Sequence, residues 1–460
     1  MKREAYRSVD VKQILIESLA AGKPGASVVV GIDVAKSESL AVVRWQSGDF
    51  ERPWRVKTPE EIPMLVDRLR DLSKDRPLLV AMESTGTYGD ALRQALTDAG
   101  LVVHRVSGKA VRDYAEIFDG VPSQHDGKDA AIVAELAALG KSSPWPYRTA
   151  TEFDQELRYW VGRGDVQQRI GMLWLCHLES LLARHWPEAT ELLELNSETL
   201  LQVLAVYGGP AALAADPGAA KRMKAWGGPF LMKEKIECFL AAAARSVGVR
   251  QTAFDCRRVQ ECAEAALAAK HEVQKASSAL EKLAQSNAII ARQAAVIGWA
   301  TACVLWAHLG DPRNYHCAEA YRKAMGLNLK ERSSGRHKGQ LKITKRGHGA
   351  VRRWLYFAAM RLVQKAEVVE WYAVKKSKHA KGGGTRALVA VMRKLALGLH
   401  AIGTGEEPFD ARRLFSPAVK RSRSAAKHAR RQLARQALER QKQKAGRKKE
   451  PASVSPGHEL

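Results

Sequence analysis

Val28-Val-Val-Gly-Ile-Asp33 and Pro77-Leu-Leu-Val-Ala-Met-Glu83 decide how this chain folds. Each is a short apolar run that ends in a carboxylate. Runs of this length, bounded by polar residues, suit buried strands. Leu40-Ala-Val-Val-Arg-Trp45 reads as the hairpin partner of the first run. Arg55 to Thr58 reads as a third strand, 77–83 as the fourth and Leu101-Val-Val-His-Arg-Val106 as a fifth. Helical periods occupy 59–72, 88–99 and the Ala-rich stretch 128–139. Strands that meet first as a hairpin and then alternate with helices predict a mixed α/β sheet.

From about residue 152 the pattern is helical. Residues 153–184 predict one long helix, and 196–248 shorter pieces broken at Gly208-Gly209-Pro210 and Gly227-Gly228-Pro229. Residues 252–290 predict a second long helix. In it Val259, Ala266, Val273 and Leu280 recur every seven residues, interleaved with Cys262, Ala269, Ala276 and Leu283. That is the spacing of a coiled-coil seam, whose partner is the chain's own domain, the other long helix or a second subunit. The expected organisation is an N-terminal extension (1–25), an α/β domain (26–145), a helical linker (146–290), a mostly helical C-terminal domain (291–404) and a basic tail (405–460). The tail is expected to be disordered unless a polyanion is bound.

The 460 residues include 74 Lys and Arg against 49 Asp and Glu, a formal net charge of +25. Such an excess attracts polyanions and points to nucleic acid. Cys176, Cys238, Cys256, Cys262, Cys303 and Cys317 form no Cys-x-x-Cys pair, so they read as reduced core thiols rather than a zinc site. The N-terminus lacks the apolar core of a signal peptide, and no run approaches the roughly 18 apolar residues of a membrane span. The expectation is a soluble, cytoplasmic protein, nucleoid-associated when bound to DNA, with no membrane partner.

Asp33 and Glu83 end strands that would lie side by side. Asp126 and Asp129 are three apart at the start of a helix, so they share a face. A helix docked on the sheet would gather all four, as an RNase H-like nuclease requires. Clustered carboxylates repel one another unless cations compensate. Two Mg²⁺ (or Mn²⁺) ions about 4 Å apart would do so, and hard oxygen ligands favour them over zinc. Taken singly, each acid also suits a turn or a first helical turn.

The second constellation is Gly326-Leu-Asn-Leu-Lys-Glu-Arg-Ser-Ser-Gly335, followed by Gly339-Gln-Leu-Lys-Ile-Thr-Lys-Arg-Gly347. Ser334, or its neighbour Ser333, is a candidate nucleophile on an exposed turn, although no activating base is evident. Across 322–353, Arg322, Lys323, Lys330, Arg332, Arg336, Lys338, Lys342, Lys345, Arg346, Arg352 and Arg353 stand against Glu331 alone. These cations suit nucleic-acid phosphate, and the bland reading is a phosphate-gripping loop with an incidental serine.

The chain resembles transposases of the IS one-ten insertion-sequence family, which includes the Piv-type DNA invertases. The likeness runs in order through Gly31-Ile-Asp-Val-Ala-Lys36, Glu83-Ser-Thr-Gly-Thr-Tyr88, Asp126-Gly-Lys-Asp129, Ser334-Gly335, Ile343-Thr-Lys-Arg-Gly347 and Ala387-Leu-Val-Ala-Val-Met-Arg-Lys394. Where this chain has Leu329 the family often has proline, and a family Pro-Gly-Ile-Gly turn is reduced here to Val296-Ile-Gly-Trp299. The resemblance implies a RuvC-like domain with a DEDD site, Asp33, Glu83, Asp126 and Asp129, and a C-terminal transposase domain with Ser334 as the catalytic serine. It further implies a structured bridge RNA that pairs with donor and target DNA. It also implies a composite site shared between subunits of a tetramer, a dimer of dimers. The expected activity is RNA-guided DNA cleavage and strand exchange. The alternatives are a metal-dependent junction-resolving nuclease with no covalent intermediate, and a non-catalytic nucleic-acid-binding scaffold.

Overall fold

The computed structural model describes residues 7–415 except 85, 122–124, 335–336 and 379–381. The chain divides into two compact units, residues 1–150 and 151–460.

The first unit is built on a seven-stranded sheet. In chain order it comprises β1 (Val9–Asp10), α1 (Ile16–Ala20), β2 (Val28–Asp33), β3 (Glu38–Trp45), β4 (Trp54–Lys57), α2 (Ile62–Ser73), β5 (Leu78–Glu83), α3 (Asp90–Asp98), β6 (Val102–Val106), α4 (Gly108–Asp119), α5 (Asp126–Ala138) and β7 (Ser143–Pro144). The strand order is β1-β4-β3-β2-β5-β6-β7. β2 pairs antiparallel with β3 and parallel with β5, and β5 pairs parallel with β6. The sheet is therefore mixed, as the apolar runs predict. Val9 and Asp10, from the segment set apart as an extension, pair parallel with β4, and Val11 is fully buried.

Alternation sends Val28, Val30 and Ile32 of β2 to one face, where they pack with Leu65 and Leu69 of α2 and Leu92 and Leu96 of α3. The opposite face, including Ala81 and Val106, is covered by α4 and α5 through Val111, Ala115, Ile132 and Val133. α5 is Ala-rich because it lies almost on the sheet backbone. A Cβ on Gly31 would stand 2.2 Å from the Ala130 carbonyl oxygen and 2.4 Å from the Ala134 nitrogen. Both are backbone atoms and cannot swing aside. Gly31→Ala is therefore expected to cost about 1–3 kcal/mol of stability, as overpacking does, read from urea denaturation. An unchanged midpoint would mean that α5 slides freely over β2.

The second unit is helical apart from one hairpin. Its long helices are α6 (Glu152–His185) and, after α7 (Glu188–Leu192), α8 (Glu198–Tyr207), α9 (Pro210–Ala215), α10 (Ala219–Gly227) and α11 (Lys233–Ala244), α12 (Ala253–Gln285). The heptad seam of α12 finds its partner within the chain. Gly164 and Gly171 of α6 face the Ala276 and Ala269 methyls, at 3.5 and 3.4 Å from the position a Cβ would take. This pairing is antiparallel, and Arg163 and Glu272 bridge it. One end of the pair packs into a core of α7–α11, through Leu178, Leu182 and Val259. The other end, through Leu157 and Leu280, enters a second core.

That second core is built by α13 (Ala288–Ile297), α14 (Trp299–Leu309), α15 (Ala318–Ala324), the antiparallel strands β8 (Leu329–Ser334) and β9 (His337–Ile343), α16 (Gly349–Leu362), α17 (Ala366–Ser377), α18 (Gly383–Thr404) and α19 (Ala411–Phe415). The turn between α13 and α14 needs Gly298, whose φ is 84°. α18 is long and apolar enough to cross a membrane by length and composition, the one such helix among those described, but it buries Val391, Leu395 and Leu399 in this core. The expectation that all six cysteines are core thiols is corrected. Cys262 and Cys303 are buried, but Cys176 and Cys238 are exposed. Most of the basic tail, 416–460, lies outside the described residues.

Candidate active site

Parallel pairing carries β2 and β5 in step from Val28↔Leu78 to Ile32↔Met82. One residue further, both strands end, which sets Asp33 beside Glu83 at the same sheet edge. α5 crosses this edge because Gly31 admits its backbone. Its first turn carries Asp126 and Asp129. His125 caps the helix, its Nδ1 accepting from the Lys128 N–H at 3.2 Å. Glu83 packs against the first residue of α4, where a Cβ on Gly108 would stand 2.0 Å from its Oε1.

The acids act on one another electrostatically. Burial, then the charges of Asp129, Asp126 and Glu83, push the Asp33 carboxyl up to about 6. Burial and Asp129 raise Glu83, while Arg112 on α4 opposes this. Burial and Asp126 raise Asp129, with His125 and Lys128 opposing. Four mutually repelling carboxylates are the donor set a hard divalent cation requires. Among the described residues, no three His, Cys, Asp or Glu side chains already stand as a metal-holding group.

Two contributors escaped the sequence reading. Arg112 follows Gly108 by one helical turn on α4, and its charge reaches Glu83. Lys128 is fully buried between the two α5 acids, its Nζ donating at 2.6 Å to both Asp119 Oδ1 and the Val121 carbonyl. It thereby ties the α4–α5 connection to the helix that carries Asp126 and Asp129. A lysine between two acids reads as exposed in a sequence, so nothing there marks it.

The serine segment is the β8–β9 hairpin rather than a simple turn. Ser334 pairs with His337 across it, with an irregularity at Ser333. The Ser333 hydroxyl donates to Glu331 Oε1 at 2.6 Å and accepts from the Gly339 N–H at 3.2 Å. It is thus engaged in holding the hairpin. The side chains of Ser334, Arg332 and Lys338, and all of Gly335 and Arg336, lie outside the described residues. Lys342, Lys345 and Arg346 are exposed, as a phosphate-binding role requires. Arg352 and Arg353 also have partners within the protein. Arg352 donates to the Gly347 and Met325 carbonyls at 2.7 and 3.3 Å, and Arg353 pairs with Asp165 of α6. Arg352 thus braces the hairpin's base, while Arg353, itself exposed, ties α16 to α6.

The mixed sheet and its four acids define a DEDD nuclease-like domain. A DEDD transposase profile of the IS110 group matches residues 30–187, and one described as "Transposase IS116/IS110/IS902 family" matches residues 290–373. The chain belongs to the IS110 family of transposases. Among solved structures, Thermus thermophilus RuvC in complex with Holliday junction substrate is similar at 19% identity, covering 26% of this chain and 99% of that chain with a TM-score of 0.20. A second Thermus thermophilus RuvC structure gives the same identity and coverages with a TM-score of 0.19. No curated protein matches.

Proposed function

We propose that this DNA transposase cuts and rejoins DNA through Ser334, with Asp33, Glu83, Asp126 and Asp129 holding Mg²⁺ or Mn²⁺. The observation that carries the reading is the register that ends β2 and β5 together at Asp33 and Glu83, with the first turn of α5 bringing Asp126 and Asp129 close enough for their charges to act on Asp33. Bound divalent cations would neutralise that edge and polarise a scissile phosphate. The serine oxygen bonds to phosphorus as one phosphorus–oxygen bond to deoxyribose breaks, and the proton the serine gives up ends on the departing sugar oxygen. Ser334 is taken as the nucleophile because it is the serine that directly precedes the glycine of the motif; the Ser333 hydroxyl donates to Glu331 and accepts from the Gly339 N–H. Exposed Lys342, Lys345 and Arg346 would hold the DNA backbone near the serine. A structured guide RNA would supply sequence choice by base pairing. Subunits of a homo-oligomer, a dimer of dimers, would supply the acidic and serine halves in the bacterial cytoplasm.

Covalent trapping tests this. Protein, element-derived RNA and labelled donor and target DNA are incubated with Mg²⁺ and resolved on denaturing gels. A protein–DNA adduct is expected with the wild type and Ser333→Ala, and none with Ser334→Ala or Asp33→Ala. Cleavage without an adduct, surviving in Ser334→Ala but not in Asp33→Ala, would overturn the serine mechanism and leave a metal-dependent hydrolase.

A further inference from the structure

The connection from α11 into α12 has no part in the site described above, yet it displays large apolar side chains close together in the chain. Within eight residues it exposes Val247 by 84%, Val249 by 55% and Phe254 by 61%. Apolar groups gathered with cations at one surface are a recurring mark of an interaction site. The same stretch exposes Arg245, Arg250, Arg257 and Arg258. The Arg257 and Arg258 guanidiniums lie 5.9 and 6.0 Å from the Phe254 ring centre.

The display is held by a built scaffold. The Val247 N–H and the Ser246 hydroxyl donate to the two Glu188 carboxylate oxygens, at 2.9 and 2.8 Å. The Val249 N–H donates to the Arg184 carbonyl at 2.9 Å, and the buried His185 ring bonds the Val249 carbonyl at 2.8 Å. Gly248 has no room for a side chain, since a Cβ would stand 2.1 Å from the His185 carbonyl oxygen. Thr252 caps α12, accepting from the Asp255 N–H, and the Asp255 carboxylate accepts from the Thr252 N–H and hydroxyl in return. Glu188 and Asp255 are thus engaged in backbone and hydroxyl bonds, and the exposed Glu261, one turn beyond Arg257 and Arg258, stands against four exposed arginines.

We propose that this surface binds single-stranded nucleic acid, with a base stacked on Phe254 and backbone phosphates held by Arg250, Arg257 and Arg258. An aromatic ring set among arginines matches the alternation of base and phosphate along a strand. A duplex keeps its bases stacked inside and offers no face to such a ring. α12 has 33 residues, about 50 Å at about 1.5 Å each, and separates this surface from the core that carries the β8–β9 hairpin. One polynucleotide can touch both. The proposal is independent of the serine chemistry: Ser334→Ala protein is expected to keep this binding while losing the covalent adduct.

The test uses the full-length chain and fluorescein-labelled oligonucleotides of one sequence, as single-stranded RNA, single-stranded DNA and duplex DNA, read by anisotropy across a salt series. Phe254→Ala is expected to weaken single-strand binding about tenfold and leave duplex binding unchanged. Arg257→Ala/Arg258→Ala is expected to flatten the salt dependence of single-strand affinity by about 1.4 in log–log slope, two phosphate contacts' worth. Lys275→Ala/Lys282→Ala, on the same helix, serves as the charge control and is expected to flatten it less. The RNA and DNA arms tell which strand is the ligand. Equal effects of Phe254→Ala on single strands and duplex, or none on either, would overturn the proposal. So would a slope change no larger than the control's, or loss of binding to anionic phospholipid vesicles alone.

Discussion

Asp33→Asn is expected to lower DNA cleavage by more than about a thousandfold while making the metal-free protein more stable at neutral pH. The two effects share one cause. Burial and three neighbouring carboxylates push Asp33 up to about 6 from 3.8. Between these values the folded protein retains a proton that the unfolded chain has released. Folding stability is therefore highest below about pH 4 for this group and is lost as pH rises through about 6. Asparagine removes the charge and with it this slope. Melting of the metal-free proteins from acid to neutral pH checks the sign. Added Mg²⁺ should raise the wild-type melting temperature and have little effect on the variant. Equal Mg²⁺ shifts in both proteins, with the variant melting lower at neutral pH, would remove Asp33 from the metal site.

Lys128→Met is expected to cost roughly 3–5 kcal/mol, the penalty for breaking a buried ion pair by removing one partner. The ammonium is 0% exposed and its Asp119 partner 7% exposed. Methionine fills the volume but leaves the carboxylate without its cation, and it abandons the Val121 carbonyl. Lys128→Met/Asp119→Asn should recover part of the loss, because no uncompensated charge then remains buried. Urea denaturation of the two variants decides this. A double variant no more stable than the single would assign the cost to the Val121 carbonyl rather than the ion pair.

The residues that were legible in sequence are those whose pattern and partner are both local. The β2 and β5 runs are continuous apolar stretches, so their strands and terminal acids can be read directly. The α12 seam was equally visible, but its partner was not, because a heptad stripe does not name the surface it meets. α4 was missed. It buries only Val111 and Ala115, and Ser107 at its N-cap makes no capping bond. The β8–β9 hairpin was also missed. Lys330, Glu331 and Lys342 are exposed on strands whose Leu329 and Leu341 are 41% and 57% exposed, so no apolar alternation marks them. Arg352 and Arg353 belong to the same basic run as Lys345 and Arg346. Composition cannot distinguish a guanidinium that grips carbonyls, as Arg352 does, from one that faces solvent.

The antiparallel pair of α6 and α12 works as a ruler. Its two ends are rooted in separate cores, so the number of turns between them sets the span. A seven-residue seam is unchanged by loss or gain of whole repeats. Matched removal of one heptad from each helix would keep every small-residue contact in register and shorten the reach by about 10 Å. Removal of three or four residues would instead rotate one core about the other. Length variation in this part of the chain is thus quantised: it comes in steps of seven residues on both helices together, or it breaks the pairing.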